Sequence, residues 1–333
     1  MNKFRVGITA DVLKSDGVPI FGTEVLGLLD SPLIEWEYME QPSIDLTPAQ
    51  AARFDAICAM VMRVTPESLS GKDLRLKLIA RFGVGYDSID VPACNKAGVL
   101  LTIAPDGVRR PVATSALTFV LMLAQKVLIK DRLTRAGRWG EKMDHIGTGL
   151  TGRTLGSIGI GNIGAELFRL AKPLDMQFIA HDPAADPVVA AAIGVRLVDM
   201  DTLFRESDFL TVNCPLSDQT RGLVNARLIA LMKPGAYLIN TARGPIVDEA
   251  ALYAALASGR IAGAGLDVFE EEPVKPNHPI LKLDNVIVTP HGICFTDECM
   301  RRLAESAFRA TLAVACGRKP PYIVNPEALT IQR

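Results

Sequence analysis

Three stretches of this sequence carry side chains suited to acid-base work. Ile239-Asn240-Thr241-Ala242-Arg243-Gly244 sets Arg243 just past an apolar run. Leu266-Asp267-Val268-Phe269 leads into the acidic run Glu270, Glu271 and Glu272, and Val288-Thr289-Pro290-His291-Gly292 ends a third run on a histidine. An arginine is a planar, permanently charged fork that matches a carboxylate. A histidine titrates near neutral pH, and a neighbouring carboxylate favours its protonated form, so it can give or take a proton. Together these groups suit a reaction in which a cation grips a carboxylate and polarises a carbonyl while an acid protonates the carbonyl oxygen. Singly, a histidine after a strand is ordinarily structural and three consecutive glutamates are ordinarily a solvated loop. Their recurrence after successive strands is what points to a site, because ligands of open α/β sheets bind at the carboxyl ends of the strands.

A dinucleotide loop lies upstream. Gly159, Gly161 and Gly164 stand in GxGxxG spacing after a predicted strand and ahead of a helix predicted over 165–172. Such glycines allow a tight turn and close approach of a pyrophosphate, which rests on the helix N-terminus where N–H groups and the helix dipole favour an anion. The next predicted strand, 177–180, is followed by Asp182, placed to bond the adenosine ribose hydroxyls and to repel a 2′-phosphate. NAD (as NADH in the reductive direction) is therefore expected over NADP, and no arginine or serine directly follows Asp182. With a nicotinamide cofactor present, the cation and the histidine fit hydride transfer to a 2-oxo acid.

The elements needed to position these groups are legible as alternating β-rich and helical runs. Strands are predicted at 4–9, 34–38, 56–62, 76–82 and 98–103, and a second series begins at Thr154 and continues through 177–180, 209–213, 236–240, 263–267 and 286–289. Repeated βαβ units of this kind build parallel sheets. Between the two series, 112–139 reads as one long helix, and 297–317 as a terminal helix that folds back onto the first domain. The fold class expected is α/β, with two doubly wound open parallel-sheet domains, one flavodoxin-like and one Rossmann, joined by two hinge helices. The expected boundaries are 1–107 plus 298–333 for a substrate domain and 108–297 for the NAD-binding domain.

A chain of 333 residues is long enough for two such cores. Lys+Arg 36 against Asp+Glu 37 leaves a net charge of -1, without the basic excess of a nucleic-acid or membrane-surface binder. No signal-peptide pattern or spanning apolar run is seen, so a cytoplasmic protein is expected. The cysteines at 58, 94, 214, 294, 299 and 316 form no CxxC pair and have no histidine at metal spacing. They read as buried thiols, and no metal site is expected.

In these motifs the chain resembles the D-isomer-specific 2-hydroxyacid dehydrogenase family. The resemblance spans essentially the whole chain and is carried by five motifs in the family's order. These are Arg81-Phe82-Gly83-Val84-Gly85-Tyr86-Asp87-Ser88-Ile89-Asp90, the Gly159 to Gly164 loop with Asp182, Thr241-Ala242-Arg243-Gly244, Asp267-Val268-Phe269-Glu270-Glu271-Glu272-Pro273, and Pro290-His291. It implies Arg243, Glu272 and His291 as the catalytic set, with Glu272 chosen from the three glutamates by its place five residues after Asp267. It implies substrate-carboxylate binding by the backbone around Val84 and Gly85. Cofactor contacts are implied for Asn162 and Ile163 in the glycine loop, for Cys214, Pro215 and Thr220, and for Thr241, Ala242 and Arg243. Asp267, His291 and Gly292 complete that set.

The resemblance also implies a homodimer formed through the bridging helix and residues 139–150, and domain closure over the substrate at hinges near 103–112 and 290–298. Three departures stand out, namely Thr114 where many members have glutamate, Asn162 where arginine is common, and Pro245 in place of a usual glycine. An NADP-linked glyoxylate or hydroxypyruvate reductase is the alternative within the enzyme class, and an NAD-sensing corepressor-like protein the alternative outside it. Arg109 and Arg110 sit in a predicted loop ahead of the bridging helix. With Arg81, one of them is expected to meet a second polar or anionic group on the substrate.

Overall fold

The computed structural model describes residues 3–40 and 43–331. The chain divides into two compact units, one running to Val108 and resuming at Phe295, the other spanning Arg109–Cys294.

The first unit is built on a five-stranded sheet of β1 (Phe4–Thr9), β2 (Ile34–Met39), β3 (Ala56–Ala59), β4 (Leu78–Arg81) and β5 (Leu100–Thr102). All pairings are parallel, in the order β2-β1-β3-β4-β5. Its inner strands are buried on both faces, as in Ala56-Ile57-Cys58-Ala59, which is why they read as continuous apolar runs. The terminal helix Asp297–Ala315 belongs to this unit. Its Phe308 packs edge-on against Phe21 and Phe82 at 5.5 and 5.8 Å between ring centres, and Thr296 caps its start by accepting the Cys299 N–H.

The second unit holds seven parallel strands, β6 (Thr154–Ile158), β7 (Gln177–His181), β8 (Val195–Leu197), β9 (Phe209–Val212), β10 (Tyr237–Asn240), β11 (Gly263–Leu266) and β12 (Val286–Val288). Their order is β12-β11-β10-β9-β6-β7-β8. The chain reverses direction across the sheet between β6 and β9, which opens a crevice at their carboxyl ends. The two parallel-sheet units bear out the expected α/β class.

Both sheets are stapled at the opposite end by a buried aspartate placed one residue before the strand that adjoins the first strand. Asp55 precedes β3, accepts the Arg5 N–H at 2.8 Å, and meets Arg75 and Lys77 at 2.7 and 3.2 Å. Asp208 precedes β9, accepts the Thr154 N–H at 2.9 Å, and meets Arg153 and Lys233 at 3.1 and 3.0 Å. Burial alone would raise both carboxyls. The N–H groups and the cations outweigh it and hold both below the ordinary carboxylate range.

Four sequence expectations need correction. β8 was not anticipated, because a three-residue edge strand with one buried side chain carries no readable alternation. The run predicted as a strand over 56–62 leaves the sheet after Ala59, where the Met60 and Val61 N–H groups turn to Thr9 Oγ1 and Asp11 Oδ2. The bridging helix is two helices, Pro105–Ala124 and Val127–Arg135, bent by 56° at a left-handed Lys126. Arg109 and Arg110 therefore lie on the first helix and not in a loop. Pro111, which in the sequence closes a loop ahead of the helix, sits inside that helix. Its cost of about 3 kcal/mol is offset by burial of Ala113, Ala116, Phe119, Val120 and Leu123 in the core of the unit. Lastly, Cys316 is exposed, since it ends the terminal helix, while Cys214 and Cys294 are partly buried. No single helix among the described residues is long and apolar enough to cross a membrane.

Candidate functional site

Strands β10, β11 and β12 deliver the acid-base residues to the carboxyl edge of the second sheet. Asp267 follows β11 and is 4% exposed. Its Oδ1 accepts from Thr289 Oγ1 at 2.6 Å, Gly292 N at 2.9 Å and Ile293 N at 3.1 Å, while its carbonyl accepts the His291 N–H at 2.8 Å. This clamp holds His291 at φ +52°, a left-handed conformation disfavoured for a residue with a side chain. Asp267, expected only as a cofactor contact, is thus also the anchor of the histidine turn.

His291 Nδ1 lies 2.7 Å from Glu272 Oε2, and Glu272 Oε1 accepts the Phe269 N–H at 2.9 Å. Burial would raise the Glu272 carboxyl. The bond to His291, the Phe269 N–H and the charges of His291 and Arg243 reverse that and lower it below the ordinary range. Glu272 is therefore an anion that accepts a hydrogen bond from Nδ1–H, and Nε2 is left for proton exchange. Of the three glutamates it alone holds His291. Glu271 pairs with Lys275 at 2.8 Å on the surface, and Glu270 bonds elsewhere through its backbone.

Arg243 follows β10 in a turn shaped by the buried Asn240, whose Oδ1 accepts the Ala242 N–H and whose Nδ2 donates to the Arg243 carbonyl. Asn240 was not singled out in the sequence, where nothing distinguishes it from any residue ending a strand. Gly244 then passes so close to the next loop that a Cβ would lie 1.9 Å from the Phe269 carbonyl. Gly244→Ala must push apart the two loops that carry Arg243 and Glu272. We expect a loss of about 1–3 kcal/mol in stability and a fall in turnover on the order of 100-fold, read by thermal melting and steady-state kinetics. An alanine variant with native kinetics would contradict this.

The glycine loop turns after β6. Gly159 has φ +91°, and a Cβ there would lie 3.0 Å from the Asn213 carbonyl. Gly164 packs against the Gly159 carbonyl, whereas a Cβ on Gly161 would meet only open space. Helix Asn162–Ala171 starts on Gly161 with no side-chain cap, and Ile163 lies in its first turn. An uncapped helix start beside an open glycine fits the pyrophosphate of a dinucleotide. Behind the loop, Ser157 Oγ donates to the Gly159 carbonyl at 2.5 Å, and Asn213 Nδ2 donates to Ser157 Oγ and Thr211 Oγ1 at 2.9 and 3.0 Å. This polar support was missed in the sequence, since Ser157 and Asn213 are far apart in the chain.

Asp182, past β7, faces the same loop, accepting the Ile160 and Ala184 N–H groups at 2.9 and 3.0 Å. Its carboxylate retains lone pairs for further donors. Past β9, the Cys214 thiol is pushed up by burial to about 11, so it is neutral. Thr220 spends its hydroxyl locally, donating to the Pro215 carbonyl at 2.7 Å. Thr241 and Ala242 stand between Asn240 and Arg243 in the β10 turn, and Gly292 is tied to Asp267.

The expected substrate residues fall in different units. Arg81 ends β4, with its Nε donating to the Gly85 carbonyl at 3.2 Å, and Val84 lies in the same loop. Arg110 belongs to the second unit and pairs with the largely buried Glu166 at 2.9 Å. Arg109 also belongs there, and its Nε is buried without a hydrogen-bond partner.

Residues 117–292 match the NAD binding domain of the D-isomer specific 2-hydroxyacid dehydrogenases. A glyoxylate reductase of Thermofilum pendens is 38% identical over 282 residues, which cover 84% of this chain and 81% of that protein. Among solved structures, a D-lactate dehydrogenase of Aquifex aeolicus, complexed with NAD and lactic acid, is 30% identical with a TM-score of 0.80, covering 94% of this chain and 96% of that one. An acyclic imino acid reductase, in complex with NADPH and D-Arg, is 26% identical with a TM-score of 0.83, covering 96% of this chain and 100% of that one. The extent of these matches places the chain in the D-isomer-specific 2-hydroxyacid dehydrogenase family.

Proposed function

We propose that this dehydrogenase reduces a small 2-oxo acid with NADH, using His291 as the acid, Glu272 as its partner and Arg243 as the carboxylate anchor. The observation that carries the reading is the 2.7 Å contact between His291 Nδ1 and an ionised Glu272, with Arg243 charged nearby. Arg243 binds the substrate carboxylate and draws electron density from the carbonyl. His291 donates its Nε2 proton to the carbonyl oxygen, and Glu272 holds the ring through Nδ1–H throughout. In the direction of oxidation Nε2 takes the hydroxyl proton instead. When bound, the nicotinamide cofactor supplies the hydride. Gly159, Gly161 and Gly164, with the start of helix Asn162–Ala171, would hold its pyrophosphate, and Asp182 its adenosine ribose.

The substrate unit is proposed as 1–107 plus 298–333, with Arg81, Val84 and Gly85 as contacts; Arg109 or Arg110, the latter also paired with Glu166, is proposed for a second polar or anionic group of the substrate. A homodimer is the assembly we propose. Trp139, Met143 and Ile146 are about two-thirds exposed next to helix Val127–Arg135, an apolar surface of the kind that self-associates.

The test is cofactor consumption with glyoxylate, hydroxypyruvate and pyruvate. NADH is expected to be consumed with at least one of them. NADPH is expected to be about 100-fold poorer, since a 2′-phosphate facing Asp182 brings like charges together at a cost of several kcal/mol. No turnover with either cofactor would overturn the reading, and a preference for NADPH would overturn the role given to Asp182.

A further inference from the structure

Beneath the turn that carries Glu272 lies a second carboxylate-imidazole pair that the proposed chemistry does not use. Glu249 opens helix Glu249–Ala257 and is 8% exposed, a burial that carboxylates rarely reach unless paired. Its Oε1 accepts the Glu270 N–H at 2.9 Å, and its Oε2 lies 3.4 Å from His278 Nε2. His278 Nδ1 is buried with no hydrogen-bond partner. A proton on Nδ1 would be a dry, unbonded donor, so the ring presents its proton through Nε2, toward Glu249.

The turn from Phe269 to Glu272 is thus held at two consecutive N–H groups by two different carboxylates. Glu272 turns back onto the Phe269 N–H, and Glu249 reaches up to the Glu270 N–H. The first bond fixes Oε1 of Glu272 and leaves Oε2 for His291. The second fixes the peptide from which that geometry is measured, and it comes from a helix outside the turn. Burial pushes the Glu249 carboxyl up, the Glu270 N–H and His278 pull it down, and the like charges of Glu270 and Glu272 push it up again.

We propose that Glu249, oriented by His278, is a positioning residue that sets the turn so that the Glu272 carboxylate meets His291 Nδ1. Its effect passes through the Glu270 N–H, and it touches neither substrate nor cofactor. The proposal rests on the acid-base roles given above to Glu272 and His291.

Two variants separate this role from mere filling of space. Glu249→Met keeps the volume and removes the acceptor, whereas Glu249→Gln keeps an acceptor oxygen and removes the charge. Kinetics are measured with the accepted 2-oxo acid, and the ring ¹⁵N shifts of His291 are recorded by NMR, which is practicable in a chain with four histidines. Glu249→Met is expected to lower kcat on the order of tenfold with NADH binding unchanged, and to lose the Nδ1–H form of the neutral His291 ring. Glu249→Gln is expected to restore both, with kcat within about threefold of the wild type. A Met variant equal to the wild type in rate and ring tautomer would overturn the proposal, as would a Gln variant as impaired as Met. If the wild type turns over no 2-oxo acid, the proposed function fails, and the ring tautomer still decides the role of Glu249.

Discussion

Replacement of His291 by asparagine is expected to lower kcat for 2-oxo acid reduction about 1000-fold, within the range ascribed to a positioned general acid. Asparagine keeps a polar group and tolerates the left-handed backbone at this position, so the turn clamped by Asp267 should persist. NADH affinity, measured by fluorescence titration, is expected to stay near the wild-type value. A variant that retains more than about a tenth of wild-type kcat would remove His291 from the mechanism. Glu272→Gln is the companion measurement. The Glu272 carboxyl is lowered from its ordinary value, so its anionic support is present above its folded pKa and is lost as pH falls through that value. Wild-type reduction should therefore hold to below about pH 4.3, the ordinary glutamate value, while the Gln variant shows no carboxylate limb there.

The second large effect concerns stability. Asp208→Ala removes one buried acceptor that serves the Thr154 N–H, Arg153 and Lys233. Breaking such a cluster from one side costs about 3 kcal/mol, which for a unit of this size lowers Tm by about 10 °C. Asp55→Ala should act in the same way on the other unit, through Arg5, Arg75 and Lys77. Because both carboxyls are lowered in the folded state, their stabilisation is complete above the unfolded value of about 3.9 and disappears as pH falls through the folded values. The Tm difference between wild type and variant should therefore shrink on acidification below about pH 4. Calorimetric scans across that range decide it; a difference that stays constant would assign the loss to packing instead.

The two sheets were legible because inner parallel strands are buried on both faces and appear as short apolar runs such as 56–59 and 209–212. The glycine loop was legible because its constraints are local. Gly159 needs a positive φ, and Gly164 needs to lack a side chain next to the Gly159 carbonyl. Where the sequence misled, a local rule lost to burial. Pro111 argues for a helix start after it, yet the apolar face of helix Pro105–Ala124 carries the helix through it. That outcome also changes the reading of Arg109 and Arg110. They are helical residues, and the second of them pairs with Glu166.

By itself the sequence determined the fold class, the dinucleotide loop and the set of residues able to do acid-base chemistry, because each is written in side-chain type and short spacing. It did not determine, from the residues alone, which of three adjacent glutamates serves the histidine. The tertiary structure decided that, because the choice depends on Phe269 N, His291 and the β12 turn meeting in space. The same holds for Asp267 as the clamp of the His291 turn, for Ser157 and Asn213 behind the glycine loop, and for Glu249 beneath the acid turn. Each is a hydrogen bond between strands or loops distant in the chain, and a pairing of that kind has no sequence period from which to be read.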